Sequence, residues 1–275
     1  MLLVLMLAAA GCASVPSYKA HPELLQRKGG IRTIGLLAPT VSLYEEQPRF
    51  GLNKLEQHDE WSPAAVEAVT KAFSAEMAAQ GYTVVTVAAD DSELKEAAEL
   101  FSAVEFSIQR HAWDVPTDTM PPREPFPEKV KTLDYSIGPL QAALEKHNVD
   151  AVWIVRGFNL LPTTGAVLKE GLEVMVGILA AAGGAVFPTA QFRKIELRTA
   201  LVDRNGTVLY YGVADDQGGW PTRESPDGSV PARSGELEPV RSEEHVNLEK
   251  DLRDPRVARH FIRAALSGFR EGTAP

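Results

Sequence analysis

The stretch QFRKIELRTALVDRNGTVLYYGVADD, residues 191–216, decides the fold that the sequence predicts. Apolar and charged side chains alternate over 193–201, which is the period-two pattern of a half-buried strand. The alternation breaks at DRNG, residues 203–206, where asparagine and glycine tolerate the positive φ of a tight turn, and apolar residues resume at 207–211. We therefore expect one long β-hairpin at the end of a sheet.

The segments before the hairpin predict the rest of an α/β domain. Residues 31–38 and 82–87 have the composition of strands, and residues 62–81 between them predict a helix that begins at Ser-Pro. Strand, helix and strand in this order indicate a parallel βαβ unit. A near-continuous apolar run at 150–158 is typical of a central strand covered on both faces. The fold class expected is therefore α/β, with a mixed β-sheet of about five strands and flanking helices.

Further helices are predicted over 91–104, over 138–147 and from Asp254 to near the C-terminus. The last of these is amphipathic, and its arginines form either a solvated face or a contact for anionic lipid. Residues 42–60 are polar and irregular, so we expect a surface loop there.

Two long loop insertions and one apolar segment interrupt this pattern. Five prolines lie within 105–135, which is either a surface excursion or a partner-binding loop. Residues 215–250 combine glycine, proline and charge and predict a mobile loop. Residues 171–188 are almost wholly apolar and glycine-rich. They predict a buried or sheet-covering helix, a segment that meets the membrane or a neighbouring subunit, or a transmembrane helix.

The N-terminus, MLLVLMLAAAGC, predicts a signal peptide over residues 1–11, because about ten apolar residues are too few to span a bilayer. Its AAGC motif resembles the lipobox of bacterial lipoproteins, which implies lipidation of Cys12, with palmitate among the acyl groups. Cys12 is the only cysteine, so an internal disulfide is impossible. We expect a lipidated tether over 12–30 and a single α/β domain over 31–275. An ordinary signal peptide, or a buried apolar segment with an incidental cysteine, are the alternatives.

Charge and motif content argue against several function classes. The 28 basic and 37 acidic residues give a formal net charge of -9, which disfavours nucleic acid as a partner. The six histidines lack metal-ligand spacing, and His58-Asp59-Glu60 is the nearest approach to a ligand cluster, with a polar loop as the alternative. Asp150 and Asp203 lie at strand ends, where a carboxylate serves a turn or a cap. We predict no catalytic residue, no cofactor and no metal site, and hence a protein that is not an enzyme.

The order of elements resembles the amino-terminal α/β module of TolB and is similar to the curli-secretion-channel lipoproteins and the lipoproteins that activate penicillin-binding proteins. The residues that carry this resemblance are IGLLAP at 34–39, DAVWIV at 150–155 and LVDRNGTVL at 201–209. It implies a lipid-anchored periplasmic binding or assembly module with envelope proteins as partners, and no catalytic residues to carry over. The residue after Cys12 is alanine, which by resemblance to envelope sorting signals favours the outer membrane, facing the periplasm.

Two other functions stay open at this point. One is an oligomeric outer-membrane export component, a homo-oligomer that uses residues 171–188. The other is an envelope hydrolase with an unrecognised site near His58 or His111.

Overall fold

Eight strands form one open mixed sheet in a computed structural model, which describes residues 18–47, 54–88, 91–109, 132–162, 195–215 and 251–271. The strands are β1 (Tyr18–Ala20), β2 (Thr33–Leu37), β3 (Thr40–Gln47), β4 (Lys54–Gln57), β5 (Thr83–Val87), β6 (Ala151–Pro162), β7 (Ile195–Asp203) and β8 (Val208–Asp215). The helices are α1 (Leu24–Lys28), α2 (Ser62–Ala79), α3 (Ser92–Ser107), α4 (Gln141–His147), α5 (Pro255–Ala265) and α6 (Ser267–Glu271), with a 3₁₀ turn at Asp59–Trp61.

The strands follow the order β1-β8-β7-β6-β2-β5, with β3 paired to β6 and β4 paired to β3. Strand β2 is parallel to both β5 and β6, whereas β7 is antiparallel to both β6 and β8. The α/β class and the mixed sheet are therefore confirmed. The expected number of about five strands is wrong, because β1, β3 and β4 add to the predicted set.

Strands β2 and β3 lie one after the other along the same side of β6. Leu36 of β2 pairs with Trp153, and Thr40 of β3 pairs with Arg156. Between these two pairs the chain advances by four residues on the β2–β3 side but by only three along β6. Pro39 lies within this mismatch, where its missing N–H leaves the ladder undisturbed. This extra residue therefore marks the carboxyl end of β2. The loop predicted over 42–60 is wrong in part, because polar residues of that range pair as strands β3 and β4.

Helices cover both faces of the sheet. On the α2 face, which also carries α5 and α6, the buried Trp153 ring packs against Phe73 at 5.3 Å and Phe269 at 4.9 Å between centroids. On the α3 face, which also carries α4, Leu94 and Phe101 belong to a second buried cluster. Two helical layers on one sheet bury β6 on both sides, as its apolar sequence predicts.

Residues 18–28, expected within a tether over 12–30, belong to the folded domain. Strand β1 pairs antiparallel with β8, with Tyr18 opposite Gly212, and α1 follows it. The Tyr18 ring stacks on Tyr210 at 5.9 Å and lies directly against Gly268. The folded domain therefore includes residues before 31, and the β7–β8 hairpin is not the end of the sheet. A three-residue strand has no periodicity by which the sequence could reveal it.

The longer predicted elements are confirmed. Helix α2 is followed by Gly81 at a φ of 86°, and Asp254 caps α5 by accepting a hydrogen bond from the Arg256 N–H at 2.8 Å. In the hairpin turn, the Asp203 carboxylate accepts hydrogen bonds from the N–H groups of Asn205 and Thr207, both at 2.9 Å. These are the capping and turn roles that the residue types predict.

Parts of the other expectations fall on residues outside the described ranges. The loop predicted over 105–135 begins later, because α3 continues to Ser107. Its centre, most of 215–250 and all of 171–188 lie outside the described residues, as does the predicted signal peptide. Within the part of the chain that is described, no helix is long and apolar enough to cross a membrane.

Candidate functional site

A cleft of about 330 Å³ lies at the carboxyl ends of β2 and β5, beside β6 and under α3. The connection from β2 to β5 runs through α2 on one face, and the connection from β5 to β6 runs through α3 and α4 on the other. The two connections leave the sheet in opposite directions, and such a switch point is where open α/β sheets bind ligands. The cleft is therefore the candidate functional site.

One wall of the cleft is aliphatic and its rim is polar. Leu37, Leu94 and Ile154 are buried residues of the wall. The polar lining residues are Thr40, Lys95, Glu99, Ser102 and Arg156. The site therefore offers apolar contact on one side and hydrogen-bonding and charged groups on the other, which is the usual make-up of a small-molecule site.

Arg156 is the most firmly held of the rim residues. Its Nη1 donates hydrogen bonds to Ser102 Oγ at 2.9 Å and to Glu105 Oε2 at 2.8 Å. Glu105 is only 2% exposed, and a buried carboxylate needs a paired cation and hydrogen bonds to be tolerated. Glu105 on α3 thus fixes the Arg156 guanidinium of β6 at the edge of the cleft.

Behind Arg156, the same carboxylate takes part in a wider buried network on the α3 face. Glu105 Oε1 lies 3.9 Å from Arg198 Nη1 and accepts a hydrogen bond from Tyr211 Oη at 3.3 Å. With its amide oxygen facing Arg198, Gln109 accepts hydrogen bonds from Arg198 Nε and Nη1 at 2.8 Å, and the same oxygen is a second acceptor for Tyr211 Oη at 2.9 Å. Burial, together with the nearby Glu105 charge, raises the pKa of Tyr211, so its hydroxyl stays protonated as a donor.

The first turn of α3, next to the cleft, is held by Asp91. Its carboxylate accepts a hydrogen bond from the Leu94 N–H at 3.1 Å and lies 2.6 Å from Lys146 Nζ and 2.9 Å from His147 Nε2 at the end of α4. The hydrogen bonds from Lys146, from the Leu94 N–H and from His147 hold the pKa of Asp91 well below its usual range. The start of α3 is therefore joined to α4 by an ionised carboxylate.

The His58-Asp59-Glu60 cluster does not line the cleft. The His58 ring stacks on Trp61 at 3.8 Å, and its Nδ1 lies 2.9 Å from Glu60 Oε1, a contact that raises the pKa of His58. Asp59 instead accepts a hydrogen bond from Gln57 Nε2 at 2.7 Å. Among the described residues, no group of three or more His, Cys, Asp or Glu side chains could hold a metal ion.

The two strand-end aspartates have the structural roles expected of them. Asp150 accepts hydrogen bonds from the N–H groups of Arg32 at 2.8 Å and Thr33 at 2.9 Å, which ties β2 to the start of β6. Asp203 holds the hairpin turn and forms an ion pair with Arg27 of α1. Cys12 and His111 lie outside the described residues.

The sequence analysis did not identify Arg156, Ser102 or Glu105 as site residues. The sequence nevertheless contains a signal for two of them. Arg156 is a cation inside the apolar run of β6, and Glu105 continues the buried stripe formed by Leu94 and Phe101 on α3. A charge on a face otherwise made of buried apolar residues indicates a partner on the facing element. Which element faces it follows only from the fold.

Comparisons with known proteins add no family to this description. No protein-family model matches the chain, and no curated protein matches it significantly.

Proposed function

We propose that this chain is a lipid-anchored protein of the bacterial envelope whose α/β domain acts as a non-catalytic binding or assembly module. In this proposal the acyl chains on Cys12 hold the protein at the outer membrane, on its periplasmic side. The observation that carries the binding role is the cleft at the switch point, with Arg156 held at its edge by the buried Glu105.

The position of β1 sets how closely a lipid on Cys12 would hold the folded domain. Tyr18 follows Cys12 by six residues and is already paired with Gly212 of β8. Six residues span at most about 20 Å when extended, at roughly 3.3–3.6 Å per residue. A lipid on Cys12 would therefore hold the folded domain, and the cleft with it, close to the membrane surface.

Mass spectrometry of the membrane-fraction protein tests the anchor. We expect a mature chain that begins at Cys12 and carries acyl mass, and we expect the Cys12→Ser variant to lack that mass and to leave the membrane fraction. Retention of the residues before Cys12 without any acyl mass would contradict the anchor.

Site-specific photo-cross-linking in intact envelopes tests the binding role. A photoreactive residue replaces Glu99 at the cleft rim or, as the control, Lys71, which is exposed on α2 on the opposite face. We expect envelope-protein adducts from position 99 that do not form from position 71. The same adducts from both positions, or none from position 99, would contradict a binding role for the cleft.

A further inference from the structure

We propose that the cleft binds a small organic carboxylate, with its apolar body on the aliphatic wall and its carboxylate paired with Arg156 and Lys95. The proposal rests on the binding role given above and names the class of ligand.

Arg156 has donors left for a ligand. Of its five N–H groups, the two on Nη1 are used by Ser102 and Glu105, and within the described residues Arg156 has no other hydrogen bond. The groups on Nε and Nη2 form one edge of the planar guanidinium. That edge matches the two oxygens of a carboxylate in a bidentate pair, and the Glu105 contact holds it in place.

The charges of the rim favour a single negative charge on the ligand. Lys95 is exposed on the rim and forms no ion pair within the described part of the chain, so it can move toward a bound anion. Glu99, one turn further along α3, is a fixed negative charge on the same rim. Arg156 and Lys95 attract an anion, and Glu99 opposes part of that attraction. A phosphate dianion loses more hydration than a carboxylate monoanion when it is placed against the aliphatic wall, so the wall favours the monoanion.

The wall and the volume of the cleft determine the polarity and the size of the rest of the ligand. Leu37, Leu94 and Ile154 give it an apolar surface, so a purely polar anion would leave that surface without a partner. A volume of about 330 Å³ is near the lower end of the range of roughly 300–1,000 Å³ for small-molecule sites. The ligand is therefore a small carboxylate with an aliphatic body.

Equilibrium dialysis of the full chain with N-acetyl-leucine and with the neutral N-acetyl-leucinamide tests the charge requirement. We expect the acid to bind at least about tenfold more tightly than the amide, because a charge-assisted hydrogen bond is worth that factor or more. Inorganic phosphate at the same concentration should not displace the acid. Equal binding of acid and amide, no binding of the acid, or displacement by phosphate would overturn the proposal.

Variants of the rim test the placement. Lys95→Gln should weaken binding of N-acetyl-leucine about threefold, Glu99→Gln should strengthen it, and Lys71→Gln on α2 should leave it unchanged. Ala98→Leu, which fills the cleft from α3, should abolish it. Unchanged affinity in both Lys95→Gln and Ala98→Leu would overturn the placement.

Arg156 needs a matched pair of variants, because Arg156→Gln alone leaves Glu105 buried without its closest cation. The double variant Arg156→Gln with Glu105→Gln removes both charges and keeps polar groups that can bond to each other. We expect it to fold and to lose binding of the acid at least about tenfold. Binding of the acid retained in the folded double variant would overturn the proposal. If the wild type fails to bind the carboxylate but still forms envelope-protein adducts from position 99, the ligand class is wrong and the proposed function stands.

Discussion

Arg156 on β6 and Arg198 on β7 stand directly opposite each other across the antiparallel ladder, on the face that α3 covers. Like charges in directly opposed positions destabilise a sheet unless a counter-charge lies between them. Glu105 supplies that counter-charge from α3, at 2.8 Å from Arg156 and 3.9 Å from Arg198, and Glu196 on β7 also forms an ion pair with Arg198. The arginine pair thus ties α3, and with it one wall of the cleft, to the centre of the sheet.

Glu105→Gln should therefore destabilise the domain. The variant removes the negative charge between the two arginines. Breaking a fully buried ion pair costs about 3–5 kcal/mol. We expect a smaller loss of about 2 kcal/mol here, because both arginine side chains are partly exposed to water. Urea unfolding measures the loss. Glu99→Gln, an exposed change on the same helix, is the control and should stay within about 0.5 kcal/mol of the wild type; equal losses in the two variants would show that Glu105 has no special role.

Gly212→Ala should be strongly destabilising for a steric reason. A Cβ on Gly212 would overlap the carbonyl oxygen of Ala265 at the end of α5, which packs directly on β8. We expect a loss of about 1–3 kcal/mol, as for other overpacked sites, measured as a lower thermal midpoint. Gly29→Ala is the control, because the nearest atom to its Cβ would lie at an ordinary 3.8 Å and its φ of -60° suits any residue. A loss of the same size at position 29 would argue against the steric explanation.

Asp91→Asn should lower stability at neutral pH and progressively less as the solution becomes acidic. Folded Asp91 stays ionised beside Lys146 and His147 at pH values where the carboxyl of the unfolded chain, with an ordinary pKa of about 3.9, takes up a proton. Its contribution is therefore fully present above about pH 4 and is lost progressively as the pH falls toward the lowered pKa of the folded state. Thermal midpoints of the wild type and the variant should differ most at pH 7, and the difference should narrow progressively as the pH falls below about 4.

Glu96→Gln on the exposed side of α3 is the control for that experiment. Its effect on stability should be small. A gap between wild type and Asp91→Asn that is as wide at pH 3 as at pH 7 would contradict the ionic role of Asp91.

Tyr18→Ala should loosen the edge of the sheet without unfolding the rest. The Tyr18 ring packs on Tyr210 and Gly268, and β1 has only three residues, so its pairing depends on this ring. Hydrogen exchange should show faster exchange in β1 and α6 and unchanged protection in β6, which is paired with β7 on one side and with β2 and β3 on the other. Unchanged exchange in β1 after Tyr18→Ala would contradict this dependence.

The sequence predicted those elements whose pattern repeats several times. Helix α2, strand β6 and the β7–β8 hairpin each extend over at least eight residues, so their periodicity is visible without the fold. Strands β1 and β4 have three and four residues and carry no usable period. Strand β3 alternates the buried Val41 and Leu43 with polar residues, but its charged end made the whole segment resemble a loop.

The candidate site was less predictable for a different reason. Arg156 and Glu105 are each unusual in their own element, yet they are 51 residues apart in the chain and meet only because α3 crosses the sheet over β6. The cleft also depends on the register mismatch between β2 and β3, which sets the carboxyl end of β2 beside Ile154. Neither relationship is encoded in a local pattern.

The short strand β1 has a mechanical consequence for an anchored protein. Under the proposed lipidation of Cys12, any tension between the membrane and the domain enters the fold through Tyr18, at the first of only three residue pairs with β8. Because β1 has only three residue pairs with β8, whereas β6 has nine with β7, β1 would separate before the β6–β7 ladder does. Its separation would uncover the edge of β8, which in turn offers unpaired N–H and C=O groups to another strand. Force on the anchor would thus change which surface the protein presents.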